Sequence, residues 1–84
     1  MNVDRKRIRV VGTKQVLRAL EAGTLGVVYV AADAERAIRE RIEAACALHG
    51  VKVWPAESMR ALGAACGLVV GAACAGAADP TDRR

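Results

Sequence analysis

Apolar and polar positions alternate along this chain in blocks that predict strands and helices in turn. Three short runs rich in β-branched residues predict strands over 8–11, 25–31 and 51–54. Pro55 is expected to stop the third strand, because proline lacks the N–H group that a sheet ladder uses. The stretches between these runs place apolar residues at helical spacing and therefore predict helices.

The first predicted helix has Thr13 as its N-cap and ends at Gly23, a residue type common after the last helical turn. Its apolar face is Val16, Ala19 and Leu20, which recur at the i, i+3, i+4 spacing of a helix packed on a core.

The second predicted helix has Asp33 as its N-cap and ends at Gly50. One side is apolar and consists of Ala34, Ala37, Ile38, Ile42, Ala45, Cys46 and His49. The other side carries charges of alternating sign, namely Glu35, Arg36, Arg39, Glu40 and Glu43. Alternation at i, i+4 spacing predicts a solvated outer face.

A short third helix is predicted to begin at Ser58 and to end at Leu62, where glycines interrupt it. Residues 68–70 then lead into a final segment of small residues. We expect an ordered core over about 8–77 and a frayed tail over 78–84.

Strands that alternate with helices predict an α/β fold with parallel connections. At 84 residues the chain is one domain, predicted as a three-layer α/β/α sandwich around a small mixed sheet of about four strands. Apolar residues make up 54% of the chain and charged residues 26%, which excludes a disordered protein. Aromatic residues are only 2%, so the core must consist mainly of Val, Ile, Leu and Ala.

The positive charge is concentrated near the start of the chain. Residues 1–18 hold six basic side chains against one acidic one, whereas the remaining residues hold seven basic and eight acidic ones. A basic pole on an otherwise balanced domain is typical of a protein that binds a phosphate-rich ligand, and the alternative is a solvated N-terminal arm.

Neither a catalytic nor a metal site is indicated. Cys46, Cys66 and Cys74 are odd in number and form no Cys-x-x-Cys motif, which argues against a disulfide scaffold and a zinc site. His49 is the only histidine and falls at a helix end, and Ser58 is the only serine and is expected to serve as an N-cap. The chain therefore predicts no catalytic residues, no metal and no cofactor. No secretory signal is visible, so the cytosol is the expected compartment.

A membrane-associated helix is an alternative for residues 62–78, which carry no charge and place three glycines at a four-residue period. The run is shorter than the roughly 20 apolar residues that a membrane span needs, and no Trp or Tyr flanks it.

The start of the first helix is a candidate ligand site. Lys14, Gln15 and Arg18 fall within about 100° of arc on the side away from the apolar face. The unpaired N–H groups of a first helical turn favour anions, and Gly12 lets a ligand approach the backbone. Phosphates or base edges could dock there. The alternative is an ordinary solvated helix face.

A second candidate is the segment 63–70, in which small residues lead directly into Leu68, Val69 and Val70. Apolar side chains at the edge of a loop can pack on unstacked bases, although such residues more often belong to a core.

Two segments resemble a known family: Gly12-Thr13-Lys14-Gln15-Val16-Leu17-Arg18-Ala19-Leu20 and Ser58-Met59-Arg60-Ala61-Leu62-Gly63-Ala64-Ala65-Cys66-Gly67-Leu68. They are similar to the kink-turn RNA-binding proteins related to ribosomal proteins L7Ae and L30e, in particular to the bacterial branch of the YbxF/YlxQ type. The similarity runs from about Ile8 to Ala75, and Val28 to Ala34 match between the two segments.

The resemblance implies recognition of a sharply bent RNA in which sheared G·A pairs flank a bulge. By position, Gly12, Thr13, Lys14 and Gln15 would touch the guanine edges and nearby backbone, and Arg18 would reach a phosphate or a base. The bulged nucleotides would be covered by Ala65, Cys66, Gly67, Leu68, Val69 and Val70. The chain departs from the pattern at Val69, where many relatives have an acidic residue, and in its Gly- and Ala-rich segment 71–78.

These observations predict a non-enzymatic RNA-binding protein, expected to be a monomer, that stabilises kink-turn RNA. Its partner would be structured RNA, either ribosomal or a riboswitch, rather than a membrane or a small molecule. The alternative is a protein-interaction module that uses the same fold without RNA.

Overall fold

Three α-helices and four strands follow one another along residues 5–78, the part of the chain that this computed structural model describes. A 3-10 turn at Arg5–Arg7 precedes the first strand. The elements are β1 (Ile8–Val11), α1 (Thr13–Ala22), β2 (Val27–Ala31), α2 (Arg36–His49), β3 (Lys52–Ala56), α3 (Met59–Ala65) and β4 (Cys74–Ala77).

The strands form one mixed sheet in the order β1-β4-β2-β3. Strands β2 and β3 pair in parallel, whereas β4 lies antiparallel between β1 and β2. The first three strands therefore point in one direction and the last strand in the other. Strand β4 consists of Cys, Gly and Ala alone and is buried along its whole length. Gly76 lets the side chains of Leu25 and Val10 pack closely on β4, and a Cβ there would force the Leu25 side chain to move.

Helices cover both faces of the sheet, which confirms the predicted α/β/α sandwich. On one face α1 and α2 pack over a core in which Val16, Leu20, Val28, Ile42 and Cys46 are buried. On the other face α3 packs over a smaller core of mostly alanine side chains around Leu62. The apolar face predicted for the first helix supplies the larger core, together with Ile38, Ile42, Ala45 and Cys46 of the second. Two residues of the predicted apolar side of the second helix differ: Ala37 is exposed, and Ala34 belongs to the smaller core.

Two predicted N-caps are wrong because the side chains concerned make tertiary contacts. Gly12 is the N-cap of α1, and Thr13 is already helical, with its hydroxyl 3.9 Å from the Cys74 Sγ. Helix α2 begins at Arg36 after Glu35. The Asp33 carboxylate instead accepts a hydrogen bond of 2.7 Å from the backbone N–H of Met59, at the start of α3.

Two predicted boundaries are also wrong. Strand β3 continues through Pro55 to Ala56, with Pro55 opposite Val30 in the register. Because β3 is an edge strand, the N–H that proline lacks is not needed by a further neighbour. Helix α3 continues past Leu62 and through Gly63 to Ala65. The Ser58 hydroxyl accepts a 2.9 Å bond from the Ala61 N–H, which confirms the predicted N-cap.

The uncharged segment 62–78 is divided among the end of α3, a loop and β4, so it does not form the single helix of the membrane alternative. Within residues 5–78, no helix is long and apolar enough to cross a membrane. Ala78 donates a 3.0 Å backbone bond to the Arg7 carbonyl, and the rest of the predicted tail lies outside the described residues.

The charged face of α2 is exposed as predicted, but its pairing is sparser. Arg36 and Glu40 form a 3.0 Å ion pair on the surface. Arg39 instead donates to the Ala34 carbonyl at 3.0 Å. His49 is exposed rather than part of the apolar side, because it lies at the very end of the helix, where the core no longer covers it.

A small apolar residue type such as cysteine is expected to be buried at all three positions, and this is correct for two of the three thiols. Cys46 and Cys74 have no exposed surface, and Cys66 is half-buried. Burial, with smaller contributions from Cys74 and Glu43, raises the pKa of the Cys46 thiol from 9.0 to about 11. Burial also raises the pKa of Cys66 and of Cys74.

We expect Cys46 and Cys74 to resist alkylation in the folded protein. The thiolate is the form that reacts with alkylating reagents. At about pH 8.5, near the ordinary thiol pKa, a buried thiol with a raised pKa stays protonated and is also inaccessible to the reagent. Iodoacetamide labelling followed by mass spectrometry of peptides, in buffer and in denaturant, measures this. Cys66 should label first in buffer, and equal labelling of Cys46 in the two conditions would contradict the prediction.

Candidate nucleic-acid interface

Four loops meet at one end of the sheet. Strands β1, β2 and β3 run in the same direction, so the loops that follow them lie at the same end. Strand β4 runs the opposite way, so the loop that precedes it lies at that end too. In α/β sheets the carboxyl ends of the strands are the usual place for ligand sites.

The start of α1 is tied to this end of the sheet by its own backbone. The Gly12 N–H donates a 2.9 Å bond to the Cys74 carbonyl, at the first residue of β4. Gly12 has φ 101°, a conformation that favours glycine, and no atom lies within 4 Å of the place where a Cβ would stand. The surface above Gly12 is therefore open to a ligand. The first helical bond joins the Val16 N–H to the Gly12 carbonyl, which leaves the preceding N–H groups without helical partners.

Lys14, Gln15 and Arg18 are all exposed, and they project from the side of α1 opposite its packed face. Val16 and Leu20, which alternate with them, are buried. The three long polar side chains therefore form one accessible face, as their helical spacing predicts. Thr13 differs from them, because it is half-buried and its hydroxyl points to β4.

The loop after α3 begins with a closed helix end. Gly67 has φ 81°, and its N–H donates to the Ala64 carbonyl at 3.0 Å. The Leu68 N–H donates to the Gly63 carbonyl at 2.9 Å. These two bonds form a Schellman motif, which sets the direction in which the chain leaves the helix.

Beyond that motif the chain displays an apolar surface, which we call the apolar loop and which consists of Leu68, Val69 and Val70. Leu68 is 40% exposed, Val70 is 65% exposed and Val69 is fully exposed. Adjacent exposed apolar side chains are uncommon on soluble proteins and mark contact surfaces. Ala65 and Cys66, which precede the loop, are half-buried.

The apolar loop is held against α3 by close backbone packing. The Ala72 N–H donates a 2.9 Å bond to the Met59 carbonyl. A Cβ at Gly63 would collide with the Val70 carbonyl oxygen, and one at Gly71 would come within 3.2 Å of the Met59 Cβ. The loop therefore lies directly on the helix, and its side chains point away from the core.

Cys74 connects the two candidate segments through the backbone. The apolar loop runs into β4 there, and the same residue accepts the bond from Gly12 at the start of α1. Of the predicted site residues, Lys14, Gln15, Arg18, Gly67, Leu68, Val69 and Val70 are exposed, whereas Gly12, Thr13, Ala65 and Cys66 are half-buried. The hydrogen-bond donors of α1 follow Gly12 along the chain, and the apolar loop precedes Cys74, so the bond between Gly12 and Cys74 connects the two segments.

Arg5 is a further residue at this site that the motifs do not reveal. Its guanidinium lies over Gly67, so closely that a Cβ at Gly67 would overlap it. Arg5 therefore brings a positive charge to the start of the apolar loop. The only signal in the sequence is the cluster of basic residues near the N-terminus, which does not indicate where any one of them points.

The sequence is similar to those of known RNA-binding proteins. The profile of the Ribosomal protein L7Ae/L30e/S12e/Gadd45 family matches residues 2–84. RNA-binding protein TTE2299 of Caldanaerobacter subterraneus subsp. tengcongensis is 43% identical over 67 residues, which cover 80% of this chain and 82% of that protein. RNA-binding protein YbxF of Geobacillus stearothermophilus is 47% identical over 64 residues, which cover 76% of this chain and 78% of that protein.

Solved structures agree with the sequence matches. The Giardia lamblia 15.5kD RNA binding protein superposes with a TM-score of 0.77 at 30% identity, over 87% of this chain and 61% of that one. A Bacillus halodurans protein of unknown function superposes with a TM-score of 0.80 at 21% identity, over 89% of this chain and 74% of that one, which shows the shared fold. On the profile match and the two bacterial relatives together, the chain is a member of the L7Ae/L30e/S12e/Gadd45 family.

Proposed function

We propose that this protein recognises and stabilises kink-turn RNA, in which a bulge is flanked by sheared G·A pairs, and that it does so without catalysis. The observation that carries the proposal is the meeting of two unlike surfaces at one end of the sheet. The start of α1 offers exposed hydrogen-bond donors, and the apolar loop offers exposed branched side chains. A kinked RNA presents base edges and unstacked bases side by side, so it would use both surfaces at once.

The start of α1 would read the G·A pairs. Lys14 can donate to guanine O6 and N7, and Gln15 can donate to and accept from base edges. Arg18 lies one turn further along the same face and can clamp a phosphate with two parallel bonds. The open space above Gly12 would allow the RNA backbone to approach the N–H groups of the first turn.

The apolar loop would cover the bulged nucleotides. Leu68, Val69 and Val70 can pack on base faces, an interaction that requires no hydrogen-bond code. Val69 carries no charge, so it would not repel the phosphates beside the bulge as an acidic side chain would. Arg5, over Gly67, would add attraction for the backbone on either side of the bulge.

Stabilisation of the kink then follows from differential binding. A protein that binds the bent RNA more tightly than the extended form shifts the equilibrium by the difference between the two affinities. We infer that the protein acts as a monomer in the cytosol on a structured RNA, either ribosomal or a riboswitch.

The test is a calorimetric titration against a kink-turn RNA and against the same RNA with its G·A pairs replaced by Watson–Crick pairs. Tight binding to the first RNA and weak binding to the second would support the proposal. Equal affinity for both would contradict it and leave only non-specific charge attraction, for which the salt dependence would remain steep.

Lys14→Ala is expected to weaken binding to the kink-turn RNA by about 1 to 3 kcal/mol, the value of one good base contact. The matched control is Lys52→Ala, which removes the same charge at the start of β3, at the opposite end of the sheet. Because both lysines are exposed, neither change should alter the melting temperature much. An equal loss of affinity in the two variants would mean that Lys14 contributes only charge.

A further inference from the structure

A second basic surface lies beside the candidate interface, in a groove between α1 and α2. The groove has a volume of about 690 Å³ and is lined on one side by α1, including Lys14 and Arg18, and on the other by the last two turns of α2. Arg41 and His49 face the groove from α2, and Leu48, which is 81% exposed, lies at its edge. Arg41, Ala45, Leu48 and His49 share a helix face, because their spacing keeps them within about 100° of arc.

The charge in the groove is mostly positive. Lys14, Arg18 and Arg41 oppose a single carboxylate in the lining, that of Glu21. The ion pair that α2 forms among the described residues joins Arg36 and Glu40, on another side of the helix. None of the three cations pairs with a carboxylate of residues 5–78, so their donors remain available for an anion.

The direction of the groove connects it to the RNA site. Both helices follow strands that end at the site end of the sheet, so both begin there and run away from it. Lys14 stands at the beginning of α1, whereas His49 is the last residue of α2. The groove therefore starts at the surface proposed to read the G·A pairs and leads towards the opposite end of the molecule.

We propose that this groove binds the phosphate backbone of the RNA stem that continues beyond the G·A pairs, with Arg41 as its principal contact and His49 as a further donor. The inference rests on the proposed function, because it requires the RNA to enter at Lys14. The regularly spaced phosphates of an RNA backbone can pair with cationic side chains that are spaced along a groove. Each phosphate that is neutralised in this way releases counterions, which adds to the salt dependence of binding. The contact adds affinity without adding sequence specificity, because phosphates carry none.

The experiment compares Arg41→Gln with the unaltered protein on two kink-turn RNAs. One RNA has a long stem beyond the G·A pairs, and in the other that stem is truncated directly after them. On the long RNA we expect Arg41→Gln to weaken binding about three- to tenfold, as for one charge-assisted contact, and to reduce the slope of log K against log salt by about one. On the truncated RNA the two proteins should bind equally.

Arg36→Gln is the control, because it removes a guanidinium from the same helix on a side that does not line the groove. Unchanged binding of Arg41→Gln to the long RNA would overturn the groove proposal, as would an equal loss on both RNAs. If the unaltered protein still prefers the kinked RNA over the G·A-disrupted one in those cases, the proposed function stands without the groove. If it shows no such preference, the proposed function itself fails.

Discussion

Leu62→Ala is expected to lower the free energy of unfolding by about 2 to 5 kcal/mol, the cost of truncating a fully buried leucine. Leu62 has no exposed surface and is the largest of the buried side chains in the core between α3 and the sheet, whose other buried members are alanines. Small neighbours on a rigid sheet cannot move in to fill the space, so the cavity should persist. For a small domain this is a large part of its total stability, and urea denaturation followed by circular dichroism would measure it.

Leu68→Ala is the matched control, because it makes the same truncation of a leucine side chain, but on the apolar loop that follows α3. Leu68 is 40% exposed, so its truncation should cost about 1 to 2 kcal/mol of stability, less than that of the fully buried Leu62. It should instead weaken binding to kink-turn RNA. A loss of stability equal to that of Leu62→Ala would mean that Leu68 is a core residue and that the apolar loop is not a contact surface.

Gly63→Ala is expected to destabilise the protein by about 1 to 3 kcal/mol and to weaken RNA binding as well. Helix propensity alone predicts the opposite sign, since alanine inside a helix is favoured over glycine by up to about 1 kcal/mol. The tertiary structure reverses the sign of this expected change in stability. A Cβ at Gly63 would meet the Val70 carbonyl oxygen and lie 3.0 Å from the Gly71 Cα, and backbone atoms cannot rotate away as a side chain would. The apolar loop would have to move off α3.

Gly50→Ala separates crowding from backbone strain. Gly50 has φ 67°, and no atom lies within 4 Å of the place that a Cβ would occupy. An alanine there would not be crowded, but it would have to adopt the left-handed backbone conformation, which costs about 1 kcal/mol. Affinity for the RNA truncated directly after the G·A pairs should not change, because Gly50 follows the last residue of α2, away from the start of α1. Thermal melts and RNA titrations of both variants test this, and a Gly63→Ala protein as stable as the unaltered one would show that the loop does not press on the helix.

The local parts of the fold follow from the sequence because they depend on neighbouring residues. The spacing of Val16, Ala19 and Leu20 predicts the packed face of α1, and all three are buried. Gly23 and Gly50 end their helices in the left-handed conformation, as their positions predict. The accessible face of Lys14, Gln15 and Arg18 follows from the same periodicity, because side chains opposite a packed stripe must face solvent.

The sequence patterns fail where a residue's partner is distant along the chain. Asp33 has the residue type and position of an N-cap for α2, but its carboxylate bonds to Met59, 26 residues away. Pro55 predicts the end of a strand, but its place on the sheet edge makes it acceptable within β3. The small residues of 74–77 cannot be recognised as a central strand from composition, because their smallness is a response to packing on both faces.

Residue spacing and composition are therefore sufficient to predict the three helices, the polar face of α1 and the cluster of basic residues in the first eighteen positions. The position of β4 between β1 and β2 depends on contacts between residues that are distant along the chain, and it brings Cys74 next to Gly12. The tertiary structure also decided that Arg5 lies over Gly67 and that Arg41 shares a groove with Lys14. The periodicity of a helix or a strand depends on residues that are near one another in the sequence, so it can be recognised without a structure. The contacts between distant residues depend instead on the order of the strands in the sheet.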